Sequence, residues 1–214
     1  MKTPFYKLML LTNRQGIAVD DYLQFIKVCA VSGVTAVQLR EKQQTPEFLL
    51  MFGQKLKEIL DPLAIPLIIN DDIALALKLD AAGVHLGQSD GDPVLARKLL
   101  GPAKIIGVSI DSIDNLVSAN QLTIDYVGIS AIFATVNKAN VKTTWGLDGL
   151  QQIAALSKHP MVGIGGITAL NTAAVLAHGA DGIAVIGAVH EAPNPAKATQ
   201  RLRHIIDEGD NGEC

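Results

Sequence analysis

The chain has 214 residues, 49% hydrophobic and 18% charged, far from the polar, highly charged regime of disorder and long enough to bury a sizeable core. Its formal net charge of -3 supplies no general attraction to nucleic acid or anionic lipid, so neither is expected as a partner and any bound anion needs a local cluster of cations. Cys29, in an apolar helical pattern, and Cys214, the last residue, make neither a disulfide framework nor a metal-ligand spacing, which fits a reducing, cytoplasmic setting.

In chain order, Leu8-Met9-Leu10-Leu11 is too short for a secretory core or a membrane span and reads as the centre of a first strand, Lys7 to Thr12. Further strand-length apolar runs follow at Ala36 to Glu41, Pro66 to Asn70, Gly83 to Gly87, Ile105 to Ser109, Tyr126 to Ser130, Met161 to Gly166 and Gly182 to Ala188. Between them lie amphipathic stretches at Asp20 to Val31, Pro46 to Leu60, Asp71 to Leu79, Pro93 to Leu100, Asp111 to Asn120, Leu147 to Ser157 and Leu170 to His178, with a last helix near Pro195 to Ile206. This βα rhythm predicts an α/β protein, a (β/α)8 TIM barrel forming a single domain over residues 1–214, with a frayed tail from about Asp207. The alternative is a flavodoxin-like sheet with fewer strands. Against it, Thr12-Asn13-Arg14-Gln15-Gly16 stands where a glycine-rich dinucleotide loop would follow the first strand.

In a barrel, chemistry gathers at the C-terminal strand ends. On the second strand Gln38, Arg40 and Lys42 occupy every second position, with Val37 and Leu39 on the other face. Two cations facing a barrel mouth call for an anionic ligand, although both can also extend to solvent beside Glu41. The third strand ends Asn70-Asp71-Asp72, residues that ordinarily cap the following helix. The fourth ends Gly87-Gln88-Ser89-Asp90 and brings a second carboxylate to the same rim, so Asp71 and Asp90 are within reach of one cation of the Mg²⁺ type. His85 faces inward and reads equally as a satisfied core residue or a catalytic one. The segment from Ala131 to Gly146 is the longest loop and can serve as a phosphate-closing loop or a plain surface one. Gly165-Gly166 and Ile186-Gly187 end the last two strands, where barrels often hold phosphate on backbone N–H groups.

Taken together and in order, Gln38-Leu39-Arg40-Glu41-Lys42, Ile69-Asn70-Asp71-Asp72, Gly83 to Asp90, Gly107-Val108-Ser109, Ile132 to Lys138 and Gly163 to Ile167 resemble the thiamine-phosphate synthase family over nearly the whole chain. That family is a (β/α)8 barrel that joins a hydroxymethylpyrimidine diphosphate to a methylthiazole phosphate, releasing diphosphate with Mg²⁺. The resemblance implies that Gln38, Leu39, Arg40, Glu41, Lys42, Asn70, Ser109 and Lys138 hold the pyrimidine diphosphate, and that Asp71 and Asp90 hold Mg²⁺. It assigns Thr135, Val136, Asn137, Gly166, Ile186 and Gly187 to the thiazole phosphate, and puts Arg40, Lys42, Ser109 and Lys138 at the reacting centre. Two positions depart from the family pattern: Asn137 where a second Thr is common, and Gly187 where a Ser is common. Rival readings are a thiazole tautomerase-like isomerase, against which Ala131 stands where its working His is expected, and a non-catalytic phosphate-ligand-binding relative. The implied partners are small molecules, and room is left for a homo-oligomer.

Overall fold

Alternation along each strand sorts the apolar side chains into two separate cores. The computed structural model describes residues 4–135 and 144–211. Eight parallel strands close in chain order: β1 (Leu8–Leu11), β2 (Ala36–Leu39), β3 (Leu67–Asn70), β4 (Gly83–Leu86), β5 (Ile105–Ile110), β6 (Tyr126–Ser130), β7 (Met161–Ile164) and β8 (Gly182–Val185), with β8 paired back to β1. The expected (β/α)8 barrel is therefore the fold. Met9, Leu11, Ala36, Ile68, Tyr126, Val162 and Ala184 fill its interior, and Phe5 meets the Tyr126 ring edge-on at 5.6 Å. Their neighbours Leu8, Leu10, Val37, Leu39, Leu67 and Ile69 point outward into the larger core under the helices. A one-residue slip would exchange the two sets, which is why alternation fixes the register.

The surrounding helices are α1 (Val19–Val31), α2 (Pro46–Leu60), α3 (Ile73–Lys78), α4 (Pro93–Leu100), α5 (Ile113–Ala119), α6 (Gly146–Ala154), α7 (Thr172–Ala177), α8 (Gly187–His190) and α9 (Pro195–Asn211). Several start where side-chain chemistry dictates. Thr45, Asp72, Asp92 and Ser112 each accept a first-turn N–H, and Pro46 and Pro93 occupy the helical positions directly after two of these caps. On α2, Phe52, Leu56 and Leu60 are wholly buried, worth roughly 1.5–3 kcal/mol each against exposure.

Most element boundaries differ from the sequence reading by a residue or two, and three of the differences bear on the mouth or the C-terminus. The second strand stops at Leu39 rather than Glu41, so Arg40 to Lys42 lie beyond the ladder, at the rim. The eighth stops at Val185 rather than Ala188. Ile186 turns the chain (φ -123°, ψ -82°) and its carbonyl accepts the Val189 and His190 N–H groups at 3.1 and 3.0 Å, starting α8. A short apolar run is compatible with either structure, so periodicity alone could not separate them. Finally, α9 continues to Asn211, past the helix end read near Ile206. Arg203 Nε donates to Asp207 at 3.0 Å, an i,i+4 ion pair that carries the helix onward.

Candidate active site

The inward-facing residues at the C-terminal strand ends surround a cavity of about 1420 Å³ that opens at one end of the barrel. On its β2 side Gln38 is buried, at 2% exposure, and Arg40 and Lys42 follow it along the wall. The Arg40 N–H donates to the buried Thr12 hydroxyl at 2.9 Å, and the Thr12 N–H donates to the Gln38 carbonyl at 2.9 Å, so β1 braces the segment that carries the cation. Burial works against the Arg40 charge and lowers its pKa, with the Asp71 and Glu41 carboxylates opposing that shift. A guanidinium remains charged under such a penalty, so Arg40 is an incompletely solvated cation that gains by meeting an anion.

The β3 and β4 ends supply the opposite charge. Asp72 is the helix cap, accepting the Leu75 N–H at 2.8 Å, which leaves Asp71 for the mouth. Asp71 has a left-handed backbone, φ 67°, a conformation Asp tolerates better than most residues but which still costs energy. Its N–H donates to the His85 carbonyl at 2.8 Å, and Asn70 Nδ2 donates to its carboxylate. Burial raises the Asp71 pKa, the Asp90 carboxylate within hydrogen-bonding reach raises it further, and Lys42 and Asn70 act the other way. Two carboxylates facing each other in a half-buried site are mutually repulsive, and a divalent cation between them would relieve this. Among the described residues no three His, Cys, Asp or Glu side chains converge. A cation here would thus draw its remaining ligands from water and phosphate oxygens, the set Mg²⁺ favours, and Asp71 with Asp90 fits that ion.

His85 forms the floor. Its Nδ1 lies 2.8 Å from the Tyr126 hydroxyl and its Nε2 2.9 Å from Ser109 Oγ. The route between β4 and β6 exists because β5 carries Gly107 at the crossing, where a Cβ would fall 2.2 Å from the Tyr126 ring. Gly128 likewise leaves room for the imidazole, 2.9 Å from where its own Cβ would stand. Burial raises the Tyr126 pKa, so the hydroxyl keeps its proton, and Gln38 donates to its oxygen. The assignment that satisfies this chain has Tyr126 O–H donating to Nδ1 and His85 Nε2–H donating to Ser109, which directs the Ser109 hydroxyl hydrogen elsewhere, toward the mouth.

The last three strand ends close the ring. Gly165 and Gly166 have φ of 99° and 64°, and a Cβ on either would stand 2.7 Å from Ala131 Cβ or the Ala134 carbonyl oxygen. These glycines therefore allow the segment after β6 to lie directly on β7. Backbone bonds Ile132 N to Ile164 O (2.9 Å) and Phe133 N to Gly165 O (3.1 Å) hold it there. Gly187 begins α8 at the mouth, with Glu191 Oε1 2.8 Å from its would-be Cβ.

Of the residues singled out from sequence, Gln38, Arg40, Glu41, Lys42, Asn70, Asp71, Asp90, Ser109, Thr135, Gly166, Ile186 and Gly187 all line this one cavity. Glu41 also accepts the Arg14 N–H at 3.0 Å. The Leu39 side chain does not reach the mouth: it lies in the outer core at 2% exposure, as alternation with Gln38 requires, and borders a smaller recess of about 270 Å³. Val136, Asn137 and Lys138 lie outside the described residues. Sequence reasoning missed Tyr126 as the partner of His85, and Asn13, Gln15, Gly16 and Glu191 on the wall. The pairing of the large Tyr126 with Gly107 on the adjacent strand was the available signal.

The profile of the thiamine monophosphate synthase family matches residues 8–189. The chain is 54% identical over 209 residues to thiamine-phosphate synthase of Chlamydia caviae, covering 98% of this chain and 99% of that protein. It is 43% identical over 202 residues to thiamine-phosphate synthase of Vibrio parahaemolyticus, covering 94% and 98%. The structure of thiamine phosphate pyrophosphorylase from Pyrococcus furiosus superposes with a TM-score of 0.86 at 33% identity, over 96% of this chain and 97% of that one. A barrel mouth that sets Arg40 and Lys42 beside a carboxylate pair, and sequence identity of this extent along the chain, lead to one conclusion: the chain belongs to the thiamine monophosphate synthase family.

Proposed function

We propose that this mouth couples 4-amino-2-methyl-5-(diphosphooxymethyl)pyrimidine with 4-methyl-5-(2-phosphoethyl)thiazole to give thiamine phosphate and diphosphate, or with its carboxylated form to give the same two products and CO2. The observation that carries this reading is the convergence of Arg40, Lys42, the Asp71–Asp90 pair and Ser109 on one cavity. Arg40, Lys42 and the Ser109 hydroxyl bind the diphosphate, joined by Lys138. Asn70 adds an amide contact beside them. Asp71 and Asp90 would hold Mg²⁺, which when bound supplies positive charge against the departing diphosphate. Thr135, Asn137, Gly166, Ile186 and Gly187 receive the thiazole phosphate.

The reaction breaks the C–O bond to diphosphate and forms a C–N bond to the thiazole nitrogen. That nitrogen already has its lone pair, so no general base is required. The residues' task is to stabilise negative charge that grows on the leaving oxygens, and fixed cations in a partly desolvated wall do this without reorganising. Ser109, directed by His85, adds a donor. We place the reaction in the cytoplasm, a setting supported by Cys29, which is a free thiol; no helix among the described residues is long and apolar enough to cross a membrane.

The test is to mix both phosphorylated substrates with Mg²⁺ and measure thiamine phosphate and diphosphate. Formation of both in equal amounts supports the reading. Thiazole isomerisation without coupling would favour a tautomerase, and binding without either product a silent relative. The position expected to carry a tautomerase His is Ala131, fully buried with its Cβ 2.7 Å from the would-be Cβ of Gly165.

A further inference from the structure

Ile186 and Gly187 share one peptide plane, and the direction of that plane is set by an unusual number of donors. The Ile186 carbonyl accepts the Val189 N–H at 3.1 Å, the His190 N–H at 3.0 Å and, from the side, His190 Nδ1 at 2.9 Å. A carbonyl only accepts, so Nδ1 carries the ring proton. The other nitrogen, Nε2, is 2.7 Å from the Tyr22 hydroxyl, and that hydroxyl oxygen receives the Asn13 N–H at 2.8 Å. Every donor then has one acceptor: Asn13 N–H to Tyr22 O, Tyr22 O–H to His190 Nε2, and His190 Nδ1–H to Ile186 O. The imidazole is clamped in this orientation by stacking on Tyr22 at 5.8 Å and packing on Phe25 at 4.8 Å.

In a trans peptide the C=O and the following N–H point in opposite directions. Pulling the Ile186 carbonyl toward His190 turns the Gly187 N–H the other way, and Gly187 itself lines the cavity. Position 187 has no side chain to contribute, and Glu191 Oε1 occupies the space a Cβ would approach. The backbone N–H is therefore the whole of what this residue offers a ligand. Its aim matters more here than it would beside a hydroxyl-bearing side chain.

We propose that His190 is a positioning residue for thiazole phosphate recognition: through Tyr22 and Ile186 it ties the β1–α1 loop at Asn13 to the Ile186–Gly187 peptide and aims the Gly187 N–H at the phosphate. This rests on the functional reading above, which puts that phosphate at Gly187. The arrangement affects one substrate selectively, since the pyrimidine diphosphate is held on the β2, β3 and β5 ends.

The test uses the full chain with Mg²⁺ and both substrates, with KM measured for each. His190→Phe keeps an aromatic ring but removes both hydrogen bonds; it is expected to raise KM for the thiazole phosphate about tenfold, the cost of losing one oriented hydrogen bond, and to leave KM for the pyrimidine diphosphate within about twofold. His190→Asn restores an N–H near the Nδ1 position and is expected to recover most of the loss. Tyr22→Phe, the mildest change, is expected to fall between them. Calorimetric titration with the thiazole phosphate alone gives the same ranking without turnover, and thermal unfolding of each variant reports its folding. Equal shifts of both KM values, no shift, or an Asn variant as impaired as the Phe variant would overturn the proposal, and if His190→Phe does not fold the Tyr22→Phe split decides. A parent protein that makes no thiamine phosphate defeats the functional reading, whereas an active parent with unshifted variants defeats this inference alone.

Discussion

Replacing Gly87 by Ala probes the acidic pair without removing either carboxylate. A Cβ at this position would stand 2.2 Å from Asp90 Oδ2 and 3.4 Å from its Cγ, with no other heavy atom within 4 Å. Gly87 is not among the residues with a left-handed backbone, so alanine fits the chain path. The clash is with the end of one flexible side chain, and the carboxylate must withdraw by about 1 Å to reach ordinary contact. Disturbing the groups that orient a metal ligand typically costs ~10- to 100-fold in metal affinity or activity, or about 1.4–2.8 kcal/mol, and the same range is expected here. The Mg²⁺ concentration for half-maximal thiamine phosphate formation should rise by about that factor, measured as initial rate with both substrates saturating. The rate at high Mg²⁺ should recover most of the parent value, because Arg40 and Lys42 are untouched. Stability should change by no more than about 0.5 kcal/mol, a Tm shift under about 2 °C for a chain of this size. A folded Gly87→Ala protein with the parent's Mg²⁺ dependence would refute the assignment of Asp90 as a metal ligand.

Other parts of the site give separate tests. Tyr126→Phe strands the buried His85 Nδ1 and the Gln38 amide; it should cost about 1–3 kcal/mol, read as a lower urea midpoint, and an unchanged midpoint would contradict the floor network. Arg40→Ala or Lys138→Ala should slow the chemical step by roughly 10²-fold or more, and single-turnover rates equal to the parent's would remove these residues from the leaving-group site. Burial holds the His190 pKa below the ordinary imidazole value, with the Ile186 carbonyl and the Glu191 charge opposing; Tyr22, the titratable group facing it from α1, stays protonated because burial raises its pKa. The unfolded chain therefore binds this proton more readily, so the contribution of His190 to stability is complete above about pH 6.5 and declines as pH falls from there toward the folded value. His190→Asn should lose less stability over that acid range in denaturant titrations, and identical pH profiles would count against a neutral, buried imidazole.

The barrel was legible because each of its signals is local. A strand of four residues declares its two faces by alternation, as Met9 and Leu11 do against Leu8 and Leu10. Thr45-Pro46 and Asp92-Pro93 likewise announce helix starts within two residues. The convergence of Arg40, Asp71 and Asp90 followed from strand order alone, since consecutive parallel strands are neighbours in a closed ring. The division of labour between Asp71 and Asp72 was not legible, because both are chemically able to cap α3 and only the backbone turn at Asp71 decides which one does.

The same limit applies to the His85–Tyr126 bond, the end of β8 and the role of His190. Each depends on distances between segments far apart in the chain, 41 residues for His85 and Tyr126 and 168 for Tyr22 and His190. Sequence by itself determined the faces, the alternation of strands with helices and the charge carried to the strand ends, because these depend on residues a few positions apart. Tertiary structure alone decided which side chains meet across the ring and which peptide N–H groups turn toward its cavity. Barrel closure and strand stagger, which are collective properties of all eight strands, set those separations.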